Sequence, residues 1–271
     1  MVMPGRVYLV GAGPGDPELL TLRAARLISQ AQSLVYDRLV SDEILSFANP
    51  DARLIPVGKK PQHHPVPQDE INSILVAEAR KGRRVVRLKG GDPYIFGRGF
   101  EELIALSAAG IRCDVVPGIT AAQGCAASAG VPLTHRGLAT SVRYITGHCR
   151  DDLPLAFDWQ GLSNKQTTLV VYMGASSIGE VASKLIANGL CQTTPALAIA
   201  GGTTANEQRF VTHLGGIREA VVAMNFHGPV LFIIGDVVSL YAGGDENREY
   251  VAAIGAKAPP VGSVLEMLAD A

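Results

Sequence analysis

Short apolar runs, each followed by a helical stripe, recur along most of this chain. Residues 6–10 (RVYLV) predict a strand, then a glycine turn, then a helix starting near Pro17 or Glu18. On that helix Leu20, Ala24, Leu27 and Ala31 share one face, and Arg23, Arg26 and Gln30 another. Strands are also predicted at 33–36, 53–57, 84–88 and 112–116. Residues 67–82 predict a helix, with proline near the start, Asp69 and Glu70 in the first turn and Gly82 as the stop. Its apolar stripe is Ile71, Ile74 and Leu75, and a further helix is predicted from about Arg98 to Gly110.

Val116-Pro117-Gly118 interrupts this alternation and marks the expected domain junction, giving domains 1–117 and 118–271. Residues 119–129 are helical in pattern and rich in small side chains, which lets another backbone pack close. Strands follow at 142–146, 168–173, 196–200, 210–213 and 230–234, with helices near 177–188, 217–224 and 263–269. The tract 242–258 has weak periodicity and is expected to be a solvated connection. Alternating β and α units predict an α/β fold whose sheets carry helices on both faces.

Composition narrows the function. A length of 271 residues at 47% hydrophobic suits two α/β domains better than one small domain. The net charge of −1 offers no basic surplus, so nucleic acid is not an expected partner. An anionic ligand would have to be met by locally clustered Arg and Lys. Cys113, Cys125, Cys149 and Cys191 form no CxxC pair, so free thiols in a reducing compartment are expected rather than a zinc site or disulfides. His63 and His64 lie between prolines with no ligand at metal spacing, and read as a loop. The amino terminus has no signal-peptide pattern, and no run approaches the ~20 apolar residues of a membrane span. The expected location is cytoplasmic.

Three glycine-bearing loops carry the candidate chemistry. The first, Gly11-Ala12-Gly13-Pro14-Gly15-Asp16-Pro17, follows a strand and opens a helix. It is a structural turn, a dinucleotide site with Asp37 as the ribose acid, or a site for another small molecule. Asp16 occupies the sixth position, where a dinucleotide fingerprint needs glycine. The second loop runs from Leu88 to Gly99 (LKGGDPYIFGRG) and shares the same sheet edge if the strands are parallel. Two such loops at one carboxyl edge form a crevice. There Asp92 could accept from a ribose or amine, and Arg98, between glycines, presents a cation suited to carboxylates. The plainer alternative is a loop with an exposed arginine. In the third loop, Pro117 to Ala122, capping by Thr120 is sufficient by itself, and room for a flat ring is the sharper reading.

The segments GAGPGDPELLTLRAARLI, YDRLVS, VGK, LKGGDPYIFGRG, VPGITAA, GVPLTHRG and TGH occur in this order. Together, over roughly residues 5 to 240, they resemble the tetrapyrrole methylase family. The resemblance implies two α/β domains with S-adenosylmethionine in a cleft between them, a fold distinct from the Rossmann dinucleotide type. The LKGGDPxxFGRG element implies the branch that methylates two pyrrole carbons of uroporphyrinogen III, giving precorrin-2 by way of precorrin-1. Such a product serves sirohaem, cobalamin or haem d1 formation, and a homodimer is implied.

The family's cofactor positions fall here on Pro14, Gly90, Gly91, Asp92, Ile95, Thr120, Ala121, Met173 and Gly202. Ile95 and Met173 would form apolar walls, although both residue types are mostly found in cores. The resemblance makes Asp37 a proton acceptor and Lys59 a donor; a turn residue and a surface cation or carboxylate anchor are their plainer readings. Arg98 would meet substrate, with Glu101 as its partner. Arg38, Lys60, Arg136 and Arg143 are either further counter-charges or ordinary solvated surface, and His148 has no assigned role. Phe100 stands where the family often has glycine, and Ala200-Gly201 replaces a pair that is often acidic then bulky or polar.

Overall fold

The computed structural model describes residues 5–58, 66–148, 155–226 and 228–241. Two compact units divide the chain. The first runs through Cys125 and takes in Ile199–Gln208 and the described part of His227–Leu231; the second holds the rest.

The first unit is built on a five-stranded sheet. Its strands are β1 (Val7–Gly11), β2 (Ser33–Tyr36), β3 (Arg53–Pro56), β4 (Val85–Lys89) and β5 (Cys113–Val116). Their order is β3-β2-β4-β1-β5, and every pairing is parallel. Side chains alternate between faces along each strand. Val10, Leu34, Val86 and Leu88 therefore pack with α1 (Leu22–Ser29) and α2 (Asp42–Leu45) on one face. Leu9, Val35 and Val85 pack with α3 (Gln68–Arg80) and α4 (Gly99–Ala108) on the other.

The predicted strands and longer helices of this unit match to within a few residues, except at the first helix. Instead of starting near Pro17, the chain makes a 3-10 turn at Pro17–Leu19, and α1 begins at Leu22. Two caps in succession explain the difference. The Asp16 side chain accepts from the Glu18 N–H, and Thr21 accepts from the Ala24 N–H. Leu20 and Thr21 are held extended between them. Ala24, Leu27 and Ala31 are buried as the stripe predicts.

The second unit's sheet comprises β6 (Ser141–Thr146), β7 (Thr167–Tyr172), β8 (Pro195–Ala200), β9 (Gln208–His213) and β10 (Val230–Ile234), in the order β6-β7-β10-β8-β9. Its helices include α7 (Ile178–Ala187) and α8 (Ile217–Met224), preceded by the one-turn α6 (Trp159–Leu162). Unlike the first sheet it is mixed, because β10 runs antiparallel to β7 while β6 is parallel to it. The predicted helix 263–269 and connection 242–258 lie outside the described residues. Among the described residues no helix is long and apolar enough to cross a membrane, and no cluster of side chains could hold a metal. Cys113, Cys125 and Cys191 form no disulfide among the described residues, and burial pushes the Cys113 thiol up to about 12. Cys149 and the His63-His64 pair lie outside the described residues.

One buried carboxylate anchors α3 to the amino-terminal end of the sheet. Glu78 is 3% exposed and accepts from Ser33 Oγ at 2.7 Å, Lys81 Nζ at 2.6 Å and Arg83 at 2.5 Å. Burial alone would raise its pKa, but hydrogen bonds from Lys81, Ser33 and Arg83 outweigh that and hold it at about 2, below its ordinary 4.5. A depressed folded pKa adds stability above the unfolded value and loses it as pH falls through the folded one. The Glu78 contribution is thus complete above pH 4.5 and gone near pH 2. Two of its cationic partners are half exposed, so we expect Glu78→Gln to cost roughly 2 kcal/mol at neutral pH. Urea denaturation should show that difference closing between pH 4.5 and 2. A difference independent of pH would contradict the assignment.

Candidate active site

The three glycine-bearing loops meet at the carboxyl edge of the parallel sheet. Gly13 and Gly91 form an isolated antiparallel bridge, with Gly13 N–H donating to Gly91 O at 3.2 Å and Gly91 N–H to Gly13 O at 2.7 Å. A Cβ on Gly11 would fall 2.6 Å from Gly91 O, and one on Gly118 would collide with the same carbonyl. Backbone therefore approaches backbone where a side chain would intervene. The Asp92 carboxylate ties the second loop to the third, accepting from Tyr94 N–H at 2.8 Å and Gly118 N–H at 3.1 Å.

Thr120 caps α5 (Ala121–Ala129) in a reciprocal box. Its hydroxyl accepts from Gln123 N–H at 3.2 Å, while Gln123 Oε1 accepts from Thr120 N–H at 3.2 Å. This places the first turn of α5 against both other loops. A Cβ on Gly91 would lie 3.8 Å from Ala121 N, and one on Gly124 would collide with the Pro14 ring. The Gly201–Thr204 turn closes the group. Asp16 N–H donates to Thr203 Oγ1 at 3.2 Å, and a Cβ on Gly202 would collide with the Cys125 sulfur. Pro14, Gly91, Asp92, Thr120, Ala121 and Gly202 are thus brought together, with Gly90 beside Leu39 at their margin.

Beyond Asp92 the second loop turns outward. Phe96 and Arg98 adopt left-handed backbone, at φ 53° and 56°, a conformation disfavoured for residues with a Cβ. Gly99 N–H donates to Pro93 O at 3.0 Å, which holds the strained turn closed. Arg98 projects from the start of α4 and forks onto Glu101, with Nε donating to Oε1 at 2.8 Å and Nη2 to Oε2 at 2.7 Å. That hydrogen bonding raises the guanidinium pKa, so the cation is permanent. Tyr94, Ile95, Phe96 and Phe100 stand exposed around it, with Tyr94 edge-on to Phe100 at 6.1 Å. Ile95 is therefore not core, although its residue type favours that. Met173 is also exposed; it lies in the second unit after β7, with left-handed φ of 54°.

Asp37 stands at the end of β2, but β4 separates β2 from β1. In a Rossmann dinucleotide sheet β2 neighbours β1 directly, which brings its terminal acid to the glycine loop. Here the acid is two strands away, and Asp16 is occupied as a cap, so the dinucleotide reading of the first loop is corrected. The Asp37 carboxylate instead meets two cations from β4. Arg87 Nη2 donates to Oδ1 at 2.6 Å, and Lys89 Nζ lies 3.5 Å from Oδ2. Both cations also reach Glu102 Oε1 on α4, at 3.0 Å each. Asp37 begins a turn as well, its carbonyl accepting from Val40 N–H. Lys59 and Lys60 lie outside the described residues, but Gly58 packs directly on the Arg38 backbone. Arg38, Arg136 and Arg143 are exposed.

Arg87, Lys89 and Glu102 were not among the residues expected at the site. Alternation in Val85-Val86-Arg87-Leu88-Lys89 carried the signal, since it puts both cations on the face that α3 and α4 cover.

Comparison with known proteins agrees with this architecture. The family described as tetrapyrrole (corrin/porphyrin) methylases matches residues 6–218, and the chain belongs to that family. A uroporphyrinogen-III C-methyltransferase of Paracoccus denitrificans is 54% identical over 236 residues, covering 87% of this chain and 82% of that protein. A siroheme synthase of Pseudomonas fluorescens is 53% identical over 240 residues, covering 88% of this chain. The chain spans 51% of that synthase's length. Among solved structures, a uroporphyrin-III C-methyl transferase from Thermus thermophilus complexed with S-adenosyl homocysteine superposes with a TM-score of 0.75 at 38% identity. That match covers 89% of this chain and 96% of the other.

Close backbone approach and capping make separable predictions. Gly118→Ala forces an overpacked contact and should cost about 2 kcal/mol or more, whereas Thr120→Ala loses only a cap, about 1 kcal/mol. Thermal unfolding of both variants should rank them in that order, and the reverse ranking would argue against the Gly118–Gly91 contact.

Proposed function

We propose that this chain transfers methyl groups from S-adenosylmethionine to two pyrrole carbons of uroporphyrinogen III, forming precorrin-2 by way of precorrin-1. The observation that carries this reading is the meeting of three strand-end loops on glycine backbone, at the sheet edge where α/β folds bind ligands. Membership of the methylase family and the similarity to an enzyme of that activity support it. The residues fit the methyl donor. Outside its chain neighbours, the nearest atom to a Cβ on Gly91 would be Ala121 N at 3.8 Å. Leu39, beside Gly90, and Ile95, later in the same loop, offer exposed apolar surface.

The donor supplies an electrophilic methyl on a sulfonium, already an excellent leaving group. What remains for the protein is alignment, exclusion of water and proton removal. In this reading Pro14, Gly90, Gly91, Asp92, Ile95, Thr120, Ala121, Met173 and Gly202 hold the donor. Asp92 acts through the loop it ties, since its oxygens are engaged by backbone. Arg98, fixed by Glu101, orients a carboxylate of the macrocycle. Carbon attack leaves positive charge on the macrocycle, which is relieved when a proton departs; Asp37 accepts it and Lys59 donates where a proton must return. A homodimer in the cytoplasm, supplying a sirohaem-forming route, belongs to the same reading, and similarity to siroheme synthases supports that route.

An anaerobic assay with uroporphyrinogen III and labelled methyl donor tests the proposal. Mass spectrometry should find two added methyl groups. Arg98→Ala should lose turnover on the order of 100-fold while still binding S-adenosylhomocysteine in calorimetry. Wild-type turnover in that variant would remove Arg98 from the mechanism, and no methylated product from the wild type would overturn the proposed activity.

A further inference from the structure

Arg87 is 1% exposed and Lys89 4%, on a strand whose neighbouring positions are aliphatic. Burying two cations costs several kcal/mol per ion, and an apolar pair of similar volume would fill the space at lower cost. The cost is offset in part by shared contacts, which converge on one oxygen of Glu102 and leave its Oε2 buried without a hydrogen-bond partner. Glu102, fully buried, receives Arg87 Nε and Lys89 Nζ on Oε1, and Gln68 Nε2 reaches the same oxygen at 3.3 Å. Arg87 also donates to the carbonyl of Leu88 at 3.2 Å, which fixes the guanidinium plane against its own strand. One contact of this set leads outward. Arg87 Nη2 donates to Asp37 Oδ1, and Asp37 alone of the four acidic and basic residues is substantially open, at 29% side-chain exposure.

We infer that Arg87, Lys89 and Glu102 are positioning residues that fix the carboxylate of Asp37 at the sheet edge for proton acceptance, an inference that rests on the role proposed for Asp37. None of the three needs to touch substrate. Glu102 orients the two cations, and the cations hold Asp37 on its inner side while its outer side stays accessible. Arg87 is the critical member because it makes the shorter contact with Asp37, 2.6 Å against 3.5 Å from Lys89. Its planar fork also donates to Glu102 and to the Leu88 carbonyl, a three-way geometry that a lysine ammonium at this position does not reproduce. Glu78 provides an internal comparison. It is an equally buried carboxylate under the same helix layer, bonded to cations at the opposite end of the sheet and away from Asp37.

The test measures kcat, KM and S-adenosylhomocysteine affinity for Arg87→Lys, Asp37→Asn, the double variant and Glu78→Gln, with unfolding midpoints for each. Arg87→Lys should fold and bind S-adenosylhomocysteine as wild type does. Its kcat should fall about 10- to 100-fold, the scale of a small misplacement of a reacting group, with KM nearly unchanged. Added to Asp37→Asn, it should cost nothing further, as for residues acting through one another. Glu78→Gln should lose stability and keep its kcat. If Arg87→Lys does not fold, the near-isosteric Glu102→Gln takes its place with the same expectations. A kcat within twofold of wild type in the folded variant, or losses that multiply in the double variant, would overturn the inference and leave Asp37 in place. Full activity of Asp37→Asn would instead remove Asp37 from the mechanism, and the positioning role with it.

Discussion

At the carboxyl edge of the parallel sheet, main chain meets main chain at distances no side chain would tolerate. Gly11 and Gly118 both press on the carbonyl of Gly91, and the Gly13–Gly91 bridge locks the first loop to the second. The neighbouring loop residues of the first unit are arranged around that contact. Asp92 spans from the second loop to the third, the Thr120–Gln123 box starts α5 where Gly124 meets Pro14, and Thr203 secures Asp16. The glycines thus define a floor whose shape depends on missing atoms, and the polar side chains around it serve mainly to hold loops in place.

Around that floor, rigidity is distributed unevenly. The Asp37 side is stiff, with Arg87, Lys89 and Glu102 buried beneath α3 and α4 and Asp37 alone of the set open to solvent. The Arg98 side is exposed, and its precision comes from strained backbone and a bidentate fork rather than from burial. A left-handed arginine costs on the order of 1 kcal/mol or more. Such strain persists only where the surroundings determine it, here through the Pro93–Gly99 hydrogen bond and the N-terminal turn of α4.

Much of this was legible in the residue pattern. Strand positions were readable because two-residue alternation in short aliphatic runs is a strong local signal, and the three loops were readable from their glycines. Sheet order was not. Whether β4 lies outside β2 or between β2 and β1 depends on long-range pairing, and that choice moves Asp37 away from the first loop. Residue type also misled at Ile95 and Met173, which suit a core by composition yet stand exposed. The start of α1 was misplaced because Asp16 and Thr21 are both good caps, and local pattern does not reveal that both are used. Arg87 and Lys89 were hidden differently. Charged residues are ordinarily read as surface, and only the register of β4 against its covered face reveals their burial.

β4 is hydrogen-bonded to β1 on one side and β2 on the other, and its last residues run directly into Gly90 and Gly91. One short strand is therefore the common reference for the donor-side floor and for the carboxylate at the end of the neighbouring strand β2. A slip of β4 along its axis would not detune one feature while sparing the other; both would drift in step. A substitution that shifts this segment should then be felt at both places together.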